Sequence, residues 1–329
     1  MCTSISYRVK DHYFGRNLDL EYSYHETVAI APRNKPFHFR HKKTINRHPA
    51  IIGMAYVVGD DPLFYEATSE SGLSIAGLNF PTNAHYNRPA IGKDNIASYE
   101  LIPWLLCKCE TVSDVRDLLT EINITDEAYR TDLEPATLHW MISDSNESIV
   151  FEQTAAGATV YDNPFGVMTN NPTFDYHMLH LCDYMNCSAD SPENNLARSI
   201  WMDPYSRGMG GMGIPGDLSS SSRFVKAVFT KMNVEPEDTE SGNVTQFFKI
   251  LGSVEQQKGC CRLGKDKHGA DICEHTIYSC CCNTDRGIYY YTTYGNSQIS
   301  CVEMHHEDLE WDKVISFELI KEPLFYMHN

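Results

Sequence analysis

The chain has 329 residues, a formal net charge of -17, 42% hydrophobic and 22% charged residues, which is enough to bury a full core and excludes disordered, collagen-like and disulfide-scaffold classes. The negative balance argues against nucleic acid or anionic lipid as a partner. No apolar leader follows Met1-Cys2-Thr3-Ser4, and the longest apolar stretches, near residues 51–58 and 101–107, are too short to span a bilayer. The 12 cysteines therefore read as mostly free thiols of a cytoplasmic protein.

Strand patterning opens the chain. Residues 3–9 alternate before the Lys10-Asp11 turn, and residues 14–20 supply a second strand of a hairpin. A basic run follows: Arg33, Lys35, Arg40, Lys42, Lys43 and Arg47 lie within residues 33–48. It reads either as an anion patch or, preferably, as a solvated loop. Helical windows come next at residues 98–109 and 112–122, the second with Val112, Val115, Leu118 and Leu119 on one face. Residues 137–143 and 148–153 then pair across Asp144-Ser145-Asn146-Glu147.

Two further helical windows, residues 172–184 and 222–232, flank a glycine- and serine-rich loop at residues 187–222. The chain closes with a hairpin of residues 276–282 and 287–294, rich in Tyr, Thr and Cys. Strands towards both ends with helices between them predict an α+β layered fold. No repeat or linker divides the chain, so residues 2–329 read as one domain.

Gly-x-Ser-x-Gly, His-Glu-x-x-His and the glycine-rich phosphate loops are absent, which removes support for serine hydrolases, zincins and nucleotide enzymes. Cys260, Cys261, His268, Cys273 and His275 crowd one segment, yet no Cys-x-x-Cys pair occurs. Cys280, Cys281 and Cys282 on a strand would also point to alternate faces, so no metal site is expected. The terminus is the better candidate. Removal of Met1 would leave Cys2 with a thiol and a free α-amine on one residue; an amine of pKa roughly 7.7 to 8.0 can take and return a proton at neutral pH, so nucleophile and base would coincide. If residues 2–9 and 14–20 pair, Arg16 and Asp19 lie beside that strand start, where a guanidinium favours thiolate and a carboxylate holds the amine.

Met1-Cys2-Thr3, Phe14-Gly15-Arg16-Asn17-Leu18-Asp19, Ala76-Gly77-Leu78-Asn79-Phe80-Pro81, Leu138-His139-Trp140, Met168 through Asp175 and Ile214-Pro215-Gly216-Asp217 with Ser222-Arg223-Phe224 resemble the choloylglycine hydrolases, in family order and over nearly the whole chain. That family includes bile salt hydrolases and penicillin V acylases. The resemblance implies a four-layer αββα sandwich of the Ntn-hydrolase type, no cofactor, and a thioester mechanism. Cys2 would be the nucleophile, Asp19 would hold its amine and Arg16 would tune its thiol. The Asn79 backbone N–H and the Asn170 side-chain amide would form the oxyanion hole, and Arg223 would support the local electrostatics. Asn at position 79, where many penicillin V acylases carry Tyr, favours glycine- or taurine-conjugated bile salts as substrates, with penicillin V acylase as the rival of the same chemistry and a metal-binding protein using residues 260–282 as the rival of another class. Leu18, Tyr24, Val58, Tyr65, Tyr129 and Leu133 match the family's apolar substrate pocket. The 187–222 loop matches a region concerned with selectivity or oligomer contact, and the family resemblance implies a homotetramer.

Overall fold

The computed structural model describes residues 1–329. Two large antiparallel sheets face each other. The first runs Val167–Met168, Cys2–Arg8, His12–Leu20, Asp271–Asn283, Ile288–Thr293, Asn296–Glu303, with Cys261–Lys265 paired to the start of Asp271–Asn283. The second runs Gly157–Asp162, Ser148–Thr154, Leu138–Ser143, Ser74–Asn79, Asp61–Ser69, Ile51–Val58, Thr27–Ala31, Ile315–Glu318.

Side-chain alternation builds the layers, because successive strand residues point to opposite faces. On the first strand, Cys2 faces the second sheet and joins Phe14, Leu18, Ile52, Met54, Leu78 and Met141 in the core between the sheets. Ile5 and Tyr7 point the other way, onto Val244, Phe247, Ile250 and Leu251 of the helix Glu240–Gly252. The cysteine triplet divides as its strand position predicts: Cys280 and Cys282 lie between the sheets, Cys281 beneath the helix. Outside the second sheet, helices Leu101–Lys108 and Val112–Leu119 bury Trp104, Leu105, Val112 and Val115 against Ile75, Trp140 and Ile142. The result is helix, sheet, sheet, helix, the expected αββα arrangement. Thr111 starts the helix Val112–Leu119 with a capping box, its hydroxyl accepting from the Asp114 N–H at 3.2 Å while Asp114 accepts from the Thr111 N–H at 2.9 Å.

The 137–153 and 276–294 hairpins form as expected, with Ser148 opposite Ser143 and Cys282 opposite Tyr289. The distribution of strands differs from the expectation of strands towards the ends. Thr27–Ala31, Ile51–Val58, Asp61–Ser69 and Ser74–Asn79 fill the first quarter of the chain. Central strands covered on both faces lack polar–apolar alternation, so their pattern is silent. The helix Glu240–Gly252 was likewise absent from the predicted elements. The loop ends earlier than expected: the helix Ser220–Asn233 takes its last three residues, capped by the Ser219 hydroxyl. The remainder folds back on itself, Ser188 N–H donating to Gly210 O at 2.9 Å, and leaves Leu196, Trp201 and Tyr205 exposed.

Candidate active site

Cys2 begins the first strand, opposite Leu18 in register, with Arg16 opposite Ser4. Gly15 makes this pairing possible. A Cβ there would stand 2.0 Å from the Cys280 carbonyl oxygen of the neighbouring strand, so only glycine fits. Cys2 is buried. Its backbone N–H donates to Asn170 Oδ1 at 2.6 Å, and its carbonyl accepts from Arg223 Nη1 at 2.6 Å. Arg223 reaches in from the helix Ser220–Asn233, donates also to Thr3 Oγ1 at 2.6 Å and Asn170 Oδ1 at 2.8 Å, and has its pKa lowered by burial against the pull of Asp19 and Cys2.

Arg16 is wholly buried. It donates through Nη1 to the carbonyls of Gly77 at 2.6 Å and Tyr65 at 3.2 Å, while its Nη2 has no partner. Burial works against its charge, yet the Cys2 thiol, Tyr278 and Glu66 outweigh burial and hold its pKa above the usual arginine range. Asp19 accepts from Thr276 Oγ1 at 2.6 Å and Gln256 Nε2 at 3.1 Å and lies 4.0 Å from Arg223. Burial raises its pKa and Arg223 opposes the rise.

With Met1 in place the Cys2 nitrogen is a peptide N–H and meets Asn170 rather than the Asp19 carboxylate. The Met1 amine instead donates to the Asp19 carbonyl at 2.8 Å and pairs with Glu274. Asn170 is itself aimed from behind: its N–H donates to Ser220 Oγ at 2.8 Å, its carbonyl accepts from His177 Nε2 at 2.8 Å, and its Nδ2 donates to the Asn79 carbonyl at 2.6 Å. An amide nitrogen carries two hydrogens, so one donor of Asn170 remains. Asn79, the last residue of its strand, is thereby brought to the same spot as Cys2, Asn170 and Arg223.

The six expected pocket residues fall into groups. Leu18 lies opposite Cys2, and Tyr65 touches Arg16 through its carbonyl. Val58 ends its strand at the 59–60 turn, and Tyr129 donates at 3.0 Å to Asp61, which opens the next strand, while packing edge-on to Tyr99. Tyr24 hydrogen-bonds Tyr22 at 3.0 Å in the loop after the second strand, and Leu133 sits in a turn closed on Arg130 at 3.1 Å. No hydrogen bond joins these last two to the Cys2 cluster, although Tyr24 lies near enough to Tyr65 to help raise its pKa, after burial and Glu26. Sequence reading missed Thr276, Gln256, Ser220 and Glu66, each a single polar residue on a distant segment with no local pattern to mark it.

The other candidates resolve differently. Most of the basic run is tied to acids: Arg33 to Glu70 and Glu310, Arg47 to Glu310 at 3.0 Å and Lys42 to Asp94, while Arg40 donates to Tyr99 Oη at 2.8 Å. It is a cross-linked loop, not a free cationic patch. In the cysteine-rich hairpin Cys261 stands opposite Glu274 and Cys273 opposite Arg262, and no group of three or more His, Cys, Asp or Glu is gathered to hold a metal ion. No helix is long and apolar enough to cross a membrane.

A family model described as linear amide C-N hydrolases, choloylglycine hydrolase family, matches residues 2–317. A bile salt hydrolase/transferase of Lactiplantibacillus plantarum is 48% identical over 329 residues, all of both chains. One from Clostridium perfringens is 37% identical over 327 residues, 98% of each. The crystal structure of a C2A conjugated bile acid hydrolase from Clostridium perfringens superposes with a TM-score of 0.90 at 34% identity, covering 100% of both chains. A penicillin V acylase from Agrobacterium tumefaciens, at 18% identity and TM-score 0.74 over 96% of this chain and 91% of that one, shares the fold.

Proposed function

The chain belongs to the choloylglycine hydrolase family of linear amide C-N hydrolases, and on that premise we propose that it cleaves the amide bond of glycine- or taurine-conjugated bile salts through a Cys2 thioester. The observation that carries this reading is the clamp on Cys2, whose nitrogen and carbonyl are held by Asn170 and Arg223 at 2.6 Å each while Arg16 lies on the neighbouring strand.

Removal of Met1 turns the Cys2 nitrogen into an amine, with Asn170 Oδ1 already placed as its acceptor. The thiol proton passes to that amine and the sulfur attacks the amide carbonyl carbon. Negative charge develops on the carbonyl oxygen, facing the remaining Asn170 donor and the Asn79 backbone N–H. Collapse breaks the C–N bond, the ammonium returns its proton to the departing amino group, and the acyl group stays on sulfur. Water, deprotonated by the same amine, then frees the bile acid and regenerates the thiol. Leu18, Tyr24, Val58, Tyr65, Tyr129 and Leu133 line the steroid side; residues 2–329 act as one domain, the 187–222 segment contributes to selectivity or to a homotetramer contact, and the protein works in the cytoplasm without cofactor.

Side-by-side initial rates test the reading. Both taurocholate and glycocholate are turned over, and kcat/KM exceeds that for penicillin V by at least about tenfold, a difference of only ~1.4 kcal/mol in transition-state binding. Penicillin V as the best substrate would overturn the bile salt assignment and leave the Cys2 chemistry standing.

A further inference from the structure

Glu66 is a buried carboxylate that none of the mechanistic steps uses. It lies between the sheets, accepting from Tyr278 Oη at 2.7 Å, Tyr289 Oη at 2.5 Å and Cys280 Sγ at 3.5 Å, with Arg16 Nε 3.8 Å away. Its position is not what strand alternation gives. Phe64 and Ala67 both pack outside, under the helices, and strict alternation from Phe64 would send Glu66 there too. A β-bulge prevents this: Ala55 pairs with Phe64 and Met54 with Glu66, so Tyr65 is an extra residue that turns Glu66 inward and presents its own carbonyl to Arg16. Gly53 leaves room for the bulge, since a Cβ there would stand 2.1 Å from the Glu66 carbonyl oxygen.

A second bulge faces the first. Thr276 pairs with Asp19 and Tyr278 with Leu18, leaving Ile277 extra, so that Tyr278 meets Glu66 on the same face as Cys280 and Cys282 while Thr276 donates to Asp19. Two independent register shifts thus converge on one carboxylate beside Arg16.

Three hydrogen-bond donors suit an ionised carboxylate, which only accepts. Burial pushes the Glu66 pKa up, and Arg16, Tyr289, Tyr278 and Cys280 oppose it. The titratable and charged groups around it are Arg16 from the second strand, Tyr278, Cys280 and Cys282 from Asp271–Asn283, Tyr289 from Ile288–Thr293, and Tyr65 on its own strand. Arg16 is the one cation among them. It also carries the unpartnered Nη2 and feels the Cys2 thiol.

Resting on the assignment of Cys2 as nucleophile, we infer that Glu66 is a positioning and charge-setting residue for catalysis: as the counter-ion of Arg16 it fixes the guanidinium between the sheets and limits how much positive field reaches the Cys2 sulfur. Without it the field at sulfur strengthens and the thiol becomes more acidic. The result is a more abundant but weaker nucleophile, because nucleophilicity falls with thiol pKa.

The test reads Cys2 directly, in chain from which Met1 has been removed. The alkylation rate of Cys2 by iodoacetamide is followed against pH by mass spectrometry of the N-terminal peptide, a measurement independent of any bile salt substrate. Glu66→Gln moves the alkylation midpoint down by about one pH unit, Glu66→Asp by less, and Tyr289→Phe, which removes one donor and makes Glu66 easier to protonate, in the same direction by a fraction of that. The acidic limb of kcat/KM follows the same order. A folded Glu66→Gln with an unmoved or raised midpoint overturns the inference. If Glu66→Gln does not fold, Tyr289→Phe and Tyr278→Phe decide it: downward shifts support the role, unmoved midpoints refute it. Failure of bile salt turnover with these shifts intact would instead count against the substrate assignment alone.

Discussion

The hairpin of Cys2–Arg8 and His12–Leu20 carries a buried polar cluster at each end, and the two are built on opposite principles. At the Cys2 end, Arg16, Asp19 and Arg223 are buried ions with a donor of Arg16 left without a partner. At the other end the cluster is neutral: His12 pairs through Nε2 with Ser6 Oγ and through Nδ1 with Thr284 Oγ1, both at 2.8 Å, and Ser143 Oγ bonds Ser6 and Ser148 at 2.8 and 2.7 Å. Burial lowers the His12 pKa to about 4, so the ring stays uncharged at neutral pH. A buried ion costs several kcal/mol of desolvation, and a neutral network staples two sheets without that penalty. The charged groups nearest His12, which are Asp285, Arg8, Asp144 and Lys231, lie around this network and do not form its links, whereas at the Cys2 end the charged side chains themselves are the links.

Substitutions at the two ends separate these roles. Cys2→Ala should remove activity by several orders of magnitude while circular dichroism and melting temperature hold, since the Cys2 side chain adds little to the core. A variant retaining measurable turnover in proportion to its concentration would mean that another group is the nucleophile. Asn170→Ala comes next: losing an oxyanion donor costs roughly 10²- to 10³-fold in kcat, and single-turnover acylation measures it.

His12→Leu inverts the pattern. Ser6 and Thr284 lose their partner, stability falls by ~1 to 3 kcal/mol in urea titration, and kcat/KM stays within about twofold. Its pH dependence has a defined sign. The native pKa of about 4 lies below the ordinary 6.5, so the unfolded chain binds a proton that the native chain refuses. Stability from this group is complete above pH 6.5 and is lost as pH falls towards 4. His12→Leu should flatten the urea midpoint across that window; an unchanged slope would refute the neutral burial of His12. The smallest effect is expected from Cys281→Ala, beneath the helix Glu240–Gly252: a cost of about 1 kcal/mol for the small void, and an unaltered rate.

Legibility in the sequence followed the same division. Local signals are short in range: alternation marks the terminal hairpins, and the blocks around Cys2, Arg16, Asn79, Asn170 and Arg223 carry the family resemblance. The supporting residues were not local. Thr276 meets Asp19 only because the two strands are neighbours in one sheet, and Gln256 arrives from the loop after the helix Glu240–Gly252. Of the expected pocket, Leu18 and Tyr65 adjoin the Cys2 cluster, whereas Tyr24 and Leu133 lie in loops whose placement no short-range pattern encodes.

Composition and periodicity determined that this chain buries a layered α+β core, and its order of short motifs determined the family, because both signals are written within a few residues of one another. Which further polar residues brace the Cys2 cluster was decided only by tertiary structure. Glu66 is the clearest instance: alternation carried on from Phe64 would place it under the helices, its bulge belongs to the local hairpin of Ile51–Val58 and Asp61–Ser69, and the Tyr278 and Tyr289 hydroxyls that meet it arrive from strands 212 and 223 residues further along the chain.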